Sequence, residues 1–241
     1  MGMVDIHCHI LPAVDDGSKS WEMSVEMCRV AVADGTSHIV ATPHCNDRYV
    51  YDRESHLATL RALRERSGNM LELSLGCDFH FSYENVQDAL KHPERYTIAD
   101  TRYLLVEFSD YTIAPATVNV LGKVCDFGLT PIITHPERNL ILQKHPETLL
   151  KWIDLGCIVQ ITANSLTGYW GSTPKKVARW LLKKNAVHVI ASDAHAPTGR
   201  DPVLSQGRSA AAEICGSEIA TALVAGNPQA IVRGEALPYV P

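Results

Sequence analysis

The chain has 241 residues, of which 46% are hydrophobic and 20% charged, and carries a net charge of −5. That length supports a large core, as one domain of α/β-barrel size or as two small ones. No basic run exceeds two residues (Lys175-Lys176, Lys183-Lys184), which leaves nucleic-acid binding without electrostatic support, and no apolar run approaches the ~20 residues of a membrane span. The seven cysteines are scattered and contain no C-x-x-C pair, the pattern of a reduced, cytoplasmic protein. No export signal opens the chain, and Ile6 stands where a myristoylation motif wants Ser or Thr.

The first strand carries Asp5-Ile6-His7-Cys8-His9. Side chains two apart on a strand leave the same face, so both imidazoles can reach one metal ion. Cys8 then points away and packs. Trp21, Val25, Cys28 and Val32 fall at helical spacing and Gly35 stops that helix. His38 to Thr42 reads as a strand ending at Pro43-His44. Leu57, Leu60 and Leu63 mark a helix, and Leu71 to Gly76 a strand that leads to Asp78. Tyr103 to Val106 is a strand buried on both faces, closed by Glu107. Ala116, Val120, Val124 and Phe127 are helical, capped at Gly128, and Pro131 to Thr134 delivers His135. Pro146 starts a helix through Leu149 and Ile153 to Gly156. Ile158 to Thr162 is the next strand. Thr173 and Pro174 read as N-cap and first residue of a helix running to Asn185. Val187 to Ala191 is the last strand, ending at Ser192-Asp193-Ala194-His195. Residues 205–235 read as two closing helices.

Seven strand–helix units without a linker imply a parallel sheet in a single domain over residues 1–241. Short right-handed connections at this length predict a closed or nearly closed barrel. A doubly wound open sheet is the rival. It is disfavoured because ligand-type residues stand at six or seven strand ends rather than at one switch point. Those residues are His7, His9, His44, Asp78, Glu107, His135, Asp193 and His195. On a barrel they share the rim formed by the C-terminal strand ends, where active sites lie. Imidazoles with carboxylates suit Mn, Fe or Zn, and their number implies two or three ions clamping an oxyanion such as phosphate. His38 and His188 lie at strand starts, the wrong end, while His80 shares a strand face with Asp78 and could line the site. Arg138 and Arg200 follow His135 and His195 closely, and guanidinium matches phosphate bidentately. A rim salt bridge from Arg138 to Glu137 or a neighbour is the structural alternative. Tyr49, Tyr51, Phe79, Phe81, Tyr83, Tyr111, Tyr169 and Trp170 cluster in rim-side loops. They either stack on an aromatic leaving group or pack on the barrel wall.

Asp5-Ile-His-Cys-His-Ile-Leu-Pro-Ala-Val-Asp-Asp-Gly17, Ala41-Thr-Pro-His44, Val106-Glu-Phe108, Thr134-His-Pro-Glu-Arg138 and Ser192-Asp-Ala-His195 with Arg200 together resemble the PHP (polymerase and histidinol phosphatase) family. Within it, the chain is similar to the manganese-dependent protein-tyrosine phosphatases of bacterial capsular and exopolysaccharide synthesis. The resemblance implies a distorted (β/α)7 TIM-like barrel with a three-metal site. It assigns His7, His9 and Asp193 to one ion, Glu107 and His135 to a second, and Asp15, His44 and His195 to a third. Asp78 bridges the first two, where the family pattern usually has Glu. Arg138 and Arg200 match the family's phosphate-binding arginines. The implied reaction is one-step hydrolysis of phosphotyrosine by a metal-activated hydroxide. Acid help to the leaving group would come from Asp15, Asp16 or water. The implied partner is the Tyr-rich tail of a bacterial tyrosine kinase. Asp5 is expected to orient an imidazole from behind.

None of the seven cysteines has Arg six positions on, which excludes a C-x5-R tyrosine phosphatase. An amidohydrolase-type enzyme would want a carbamylated Lys where Glu107 stands. Histidinol-phosphate phosphatase is the nearest enzymatic rival. A non-catalytic metal-binding PHP module is the rival from another class.

Overall fold

Apolar strands alternate with amphipathic helices along the whole computed structural model, which describes residues 2–241. β1 (Met3–Cys8) pairs in parallel with β2 (Thr36–Ala41), and β2 with β4 (Glu72–Leu75). A second parallel sheet runs in the order β3 (His44–Cys45), β5 (Asp78–His80), β6 (Tyr103–Glu107), β7 (Thr130–Thr134), β8 (Ile158–Thr162) and β9 (Val189–Ala191). The second and third strands expected from the sequence are each broken in two. Pro43, which has no N–H for a ladder, separates β2 from β3, and Gly76-Cys77 separates β4 from β5. The chain is thus an α/β fold of two parallel sheets and not one continuous barrel wall. β1 and β9 meet at a single bridge, Cys8 to Ala194, with His9 N–H donating to Ala194 O at 2.8 Å and Asp193 N–H to His7 O at 2.8 Å.

Alternation along the strands divides the core into two clusters. Val4, Ile6, Val40, Tyr103, Leu105, Ile132, Ile158, Val189 and Ala191 form an inner one, plugged by Ile98 and Ile231. Leu104, Val106, Ile133, Val159, Ile161 and Ile190 face outward into a larger cluster under the helices. Both faces of these strands are buried, as their continuous apolar sequence requires.

The helices follow their caps. α1 (Trp21–Asp34) starts where Ser20 accepts from Met23 N–H and ends at Gly35, whose φ of 95° is left-handed. α2 (Arg53–Arg66) starts at Asp52, which accepts from Ser55 N–H. α3 (Tyr83–Ala89), two 3₁₀ turns and α4 (Thr117–Asp126) precede β7, and α5 (Thr148–Asp154) precedes β8. Pro146 lies two residues before α5 and not at its first position. After the short α6 (Ala163–Thr167), α7 spans Ser172–Lys183, so Gly171 takes the N-cap position and Pro174 the third helical one. Proline is tolerated there because N–H groups of the first turn have no intrahelical partner. The expected two closing helices are four helical pieces: α8 (Ser205–Cys215), α9 (Ser217–Thr221), a π-turn at Ala222–Gly226 and α10 (Asn227–Arg233). Among the described residues no helix is long and apolar enough to cross a membrane.

Candidate metal centre

β1 does not place its imidazoles by simple alternation. Ile6 joins Val4 in the inner core, and the register shifts between Asp5 and Cys8. Beyond that irregularity the rings of His7 and His9 lie 5.3 Å apart, with Nε2 atoms 3.3 Å from each other. Cys8 joins the outer core. Asp5 does not orient an imidazole: its carboxylate accepts from Ser192 N–H at 3.0 Å and from the Ser192 hydroxyl, tying β1 to the chain after β9. The amide of Gln160, on β8, holds His7 by accepting from Nδ1 at 2.9 Å. A lone amide in the apolar run Ile158-Val-Gln-Ile-Thr was the available signal for that residue.

The strand ends converge. His44 Nδ1 lies 3.0 Å from Asp78 Oδ2 and 3.7 Å from Glu107 Oε2, and His135 Nε2 lies 3.7 Å from Glu107 Oε1. Asp193 Oδ1 stands 3.3 Å from His7 Nε2 and 3.4 Å from His9 Nε2. His135 and Asp193 both adopt positive φ, 31° and 51°. Such strain at non-glycine residues collects at functional sites. Four groups bring donor atoms within 4.8 Å of one another: His7, His9 and Asp193; His7, Asp78 and His135; His44, Asp78 and Glu107; and His9, Asp16, His44 and His195.

Asp15 is the one expected ligand outside these groups, and Asp16 takes its place. Asp15 is turned inward by the tight return at Gly17, where a Cβ would meet His9 O at 2.2 Å. Its carboxylate accepts from His9 Nδ1 at 2.7 Å, Gly17 N–H at 2.9 Å and His44 N–H at 3.2 Å. Three donors thus engage both its oxygens, and burial notwithstanding, His9 holds its pKa down to about 2. That also removes Asp15 as an acid for a leaving group. Asp16 instead reaches His44 Nε2 at 3.3 Å and His195 Nε2 at 3.5 Å. His80 belongs to none of the four groups.

Protons show where a cation is wanted. Burial opposes charge on His9 and His44, yet Asp15 beside one and Asp16 with Asp78 beside the other carry them up to about 9 and about 12. Burial, aided by His9, pushes His195 down to about 4. Burial and the Asp78 charge raise Glu107. Both oxygens of Asp78, fully buried, lack a hydrogen-bond partner, as does His44 Nδ1. An unsatisfied buried carboxylate is costly. With five imidazoles and three further carboxylates around it, Asp78 forms a donor set that divalent transition ions fit, with protons displaced on binding.

Two cations complete the rim. Arg138 and Arg200 both bond Asp193 Oδ2, Arg200 at 2.9 Å. Arg138 thus makes the rim salt bridge of the structural alternative, but to its neighbour Asp193 and not to Glu137, which is buried and accepts from Thr162 N–H and the Ser165 hydroxyl. A cavity of about 570 Å³ opens beside them, lined by Glu107, His135, Arg138, Phe108, Leu142 and Trp170 among others. Of the rim aromatics, Tyr49 stacks on His44 at 5.8 Å and Trp170 lies under both arginines, whereas Tyr51 and Phe79 are core residues.

Comparison with known proteins gives one consistent result. The family model described as "Capsular polysaccharide synthesis, CpsB/CapC" matches residues 3–233. Tyrosine-protein phosphatase YwqE of Bacillus subtilis is 34% identical over 80% of this chain and 77% of its own. Tyrosine-protein phosphatase CpsB of Streptococcus pneumoniae is 30% identical over 97% and 99%. A crystal structure from work on YwqE and CpsB, described as metal-dependent tyrosine phosphatases, superposes with a TM-score of 0.92 at 31% identity, covering 98% of this chain and 96% of that one.

Proposed function

The chain belongs to the CpsB/CapC capsular polysaccharide synthesis family, and we propose from that premise that it is a metal-dependent protein-tyrosine phosphatase acting in capsule or exopolysaccharide synthesis. The single observation that carries this reading is the Asp78 carboxylate, buried among imidazoles without a hydrogen bond, on the same rim as Asp193, on which two guanidiniums converge. His7, His9 and Asp193 would hold one ion; Asp78, Glu107 and His135 a second; and Asp16, His44 and His195 a third. Manganese is the proposed metal, as the family resemblance implies, from the three ions (Mn, Fe and Zn) that an imidazole–carboxylate set without thiolate suits. Bound there, divalent ions supply Lewis-acid charge and a nucleophilic hydroxide.

The protein's own groups do the rest. Arg138 and Arg200 bind equatorial phosphate oxygens and take up charge as phosphorus is attacked. Gln160 and Asp15 fix the rings of His7 and His9 from behind. The cavity beside Arg138, with its apolar wall of Phe108, Leu142 and Trp170, takes the phenyl ring. Phenolate leaves readily, so water suffices for its proton; Asp16, held well below the usual carboxylate range by His195 and His44, carries none to give. We read the two sheets as a distorted (β/α)7 barrel of PHP type, in a single domain over residues 1–241, working in the cytoplasm. The proposed substrate is a phosphotyrosine protein, specifically the Tyr-rich tail of a bacterial tyrosine kinase.

The test compares phosphotyrosine peptide, phosphoserine peptide and histidinol phosphate with manganese-loaded protein. Turnover of the phosphotyrosine peptide, abolished by chelation, is expected. Turnover of histidinol phosphate alone would overturn the assignment.

A further inference from the structure

The two arginines share a support, Trp170, which the chemistry above uses only as part of the wall for the phenyl ring. The Arg138 guanidinium carbon lies 4.1 Å from the centroid of Trp170, and that of Arg200 lies 5.3 Å from it. Both distances fall within the range of cation–π attraction, about 6 Å. These arginines come from loops after different strands, β7 and β9, and meet over one indole. Bringing two like charges together requires negative potential. Asp193 supplies part of it by accepting their N–H groups. The indole face supplies the rest without occupying an N–H group. Each guanidinium edge therefore keeps donors for an oxyanion.

Trp170 is itself fixed. It stands in the turn between α6 and α7, flanked by Gly168 and Gly171 with φ of 98° and 93°, conformations that an L side chain rarely adopts. Tyr169 packs edge-on against it at 5.0 Å and 87°. Asn164, in the first turn of α6, accepts from Tyr169 N–H at 3.0 Å and donates to Gly199 O at 3.2 Å, linking the turn to the loop that carries Arg200. Arg200 O in turn accepts from His195 N–H at 2.8 Å. Hydrogen bonds thus connect the turn, the arginine loop and a candidate ligand.

We propose that Trp170 is a positioning residue: its indole face is the shelf that aligns Arg138 and Arg200 as a paired phosphate fork. The inference rests on the phosphatase reading above. Two partly desolvated cation–π contacts correspond to about a thirtyfold effect on oxyanion binding.

The test sets Trp170→Phe, which keeps a π face, against Trp170→Leu, which does not. Three quantities are read for wild type and both variants with manganese bound: metal stoichiometry, calorimetric affinity for inorganic phosphate, and KM and kcat on an aryl phosphate. The expected result is unchanged metal content in both variants. Phosphate affinity and kcat/KM fall about thirtyfold in Trp170→Leu and within about threefold of wild type in Trp170→Phe. Phosphate affinity in Trp170→Leu equal to wild type overturns the proposal, as does an equal loss in both variants, which would mark simple packing. Should Trp170→Leu fail to fold, Trp170→Met takes its place. A wild-type protein that binds metal and phosphate but does not turn over aryl phosphates rejects the phosphatase reading, whereas active wild type with indifferent variants rejects only the shelf.

Discussion

Replacing Asp78 by Asn tests the metal centre at the carboxylate shared by two donor groups. Among the described residues, Asp78 is the only carboxylate that belongs to two of the four donor groups. It is fully buried and both its oxygens lack hydrogen bonds. An ion present at a hundred times its dissociation constant stabilises the folded state by about 2.7 kcal/mol. For a chain of this size 1 kcal/mol moves the thermal midpoint by about 2–4 °C, so each ion is worth about 5–11 °C. Asp78→Asn should therefore remove about 10–20 °C of the manganese-induced rise if it serves two ions, and about half that if it serves one. Without metal the exchange removes both a buried charge and its pairing with His44, effects of opposite sign. The metal-free midpoints are therefore the baseline to subtract. The assay is thermal unfolding of wild type and variant with and without manganese, alongside elemental analysis of bound metal. Full stoichiometry with an undiminished rise in Asp78→Asn would refute the bridging position.

Asp16→Asn should lose about one ion per chain, whereas Asp15→Asn should keep full stoichiometry at saturating metal with affinity lowered about 10–100-fold, the usual effect of disturbing the partner behind a ligand; metal titration of both decides, and the reverse pattern would restore Asp15 as the ligand. Arg200→Ala should retain metal and lose about 10²–10³ in kcat/KM, as removal of one charge-stabilising donor does, and wild-type kinetics would take Arg200 out of the site. His188 lies at the opposite end of β9, with burial lowering its pKa to about 4 and Nδ1 accepting from Val159 N–H. The unfolded chain binds this proton below about 6.5 and the folded chain only below about 4, so the stability it permits is whole above pH 6.5 and is lost as pH falls toward 4, by ~3 kcal/mol at most. Denaturant midpoints of wild type and His188→Asn in chelator at pH 7.5 and 5 check this. Asn keeps an acceptor for Val159, and an equal pH slope in both proteins would contradict it.

The strand ends were legible because the signals there are local. A buried parallel strand reads as an unbroken apolar run, and the first titratable residue after it marks the rim, as at Glu107, His135 and Asp193. What escaped depends on backbone paths that periodicity does not encode. Alternation favours neither Asp15 nor Asp16 in a tight turn; the approach of Gly17 to His9 decides which carboxylate faces inward. Alternation keeps His7 and His9 together, but which side they face depends on the shift after Asp5. The breaks at Pro43 and Gly76-Cys77 were visible as residues, yet their effect on sheet continuity depends on neighbouring strands. Trp170 was one of eight rim aromatics, and nothing in its spacing separates it from Tyr169, which is largely exposed.

Those interruptions and the candidate metal centre occupy the same places. The two sheets part where β2 gives way to β3 and β4 to β5, and His44 and Asp78 are the first residues past those breaks. The other discontinuity is the single bridge between β1 and β9, and there His7 and His9 face Asp193 and His195 across it. A regular ladder would fix the direction of every side chain by alternation. A broken one frees the terminal residues to turn toward a common point, at the loss of backbone hydrogen bonds. Asp5 with Ser192 restores part of that loss at the β1–β9 seam, and Pro43 O accepting from Asp78 N–H restores part at the other. The remaining attraction across both seams is between imidazoles and carboxylates, whose geometry is more constrained by a cation than by a proton. The irregular sheet is thus the means by which residues from seven places in the sequence come within reach of one another.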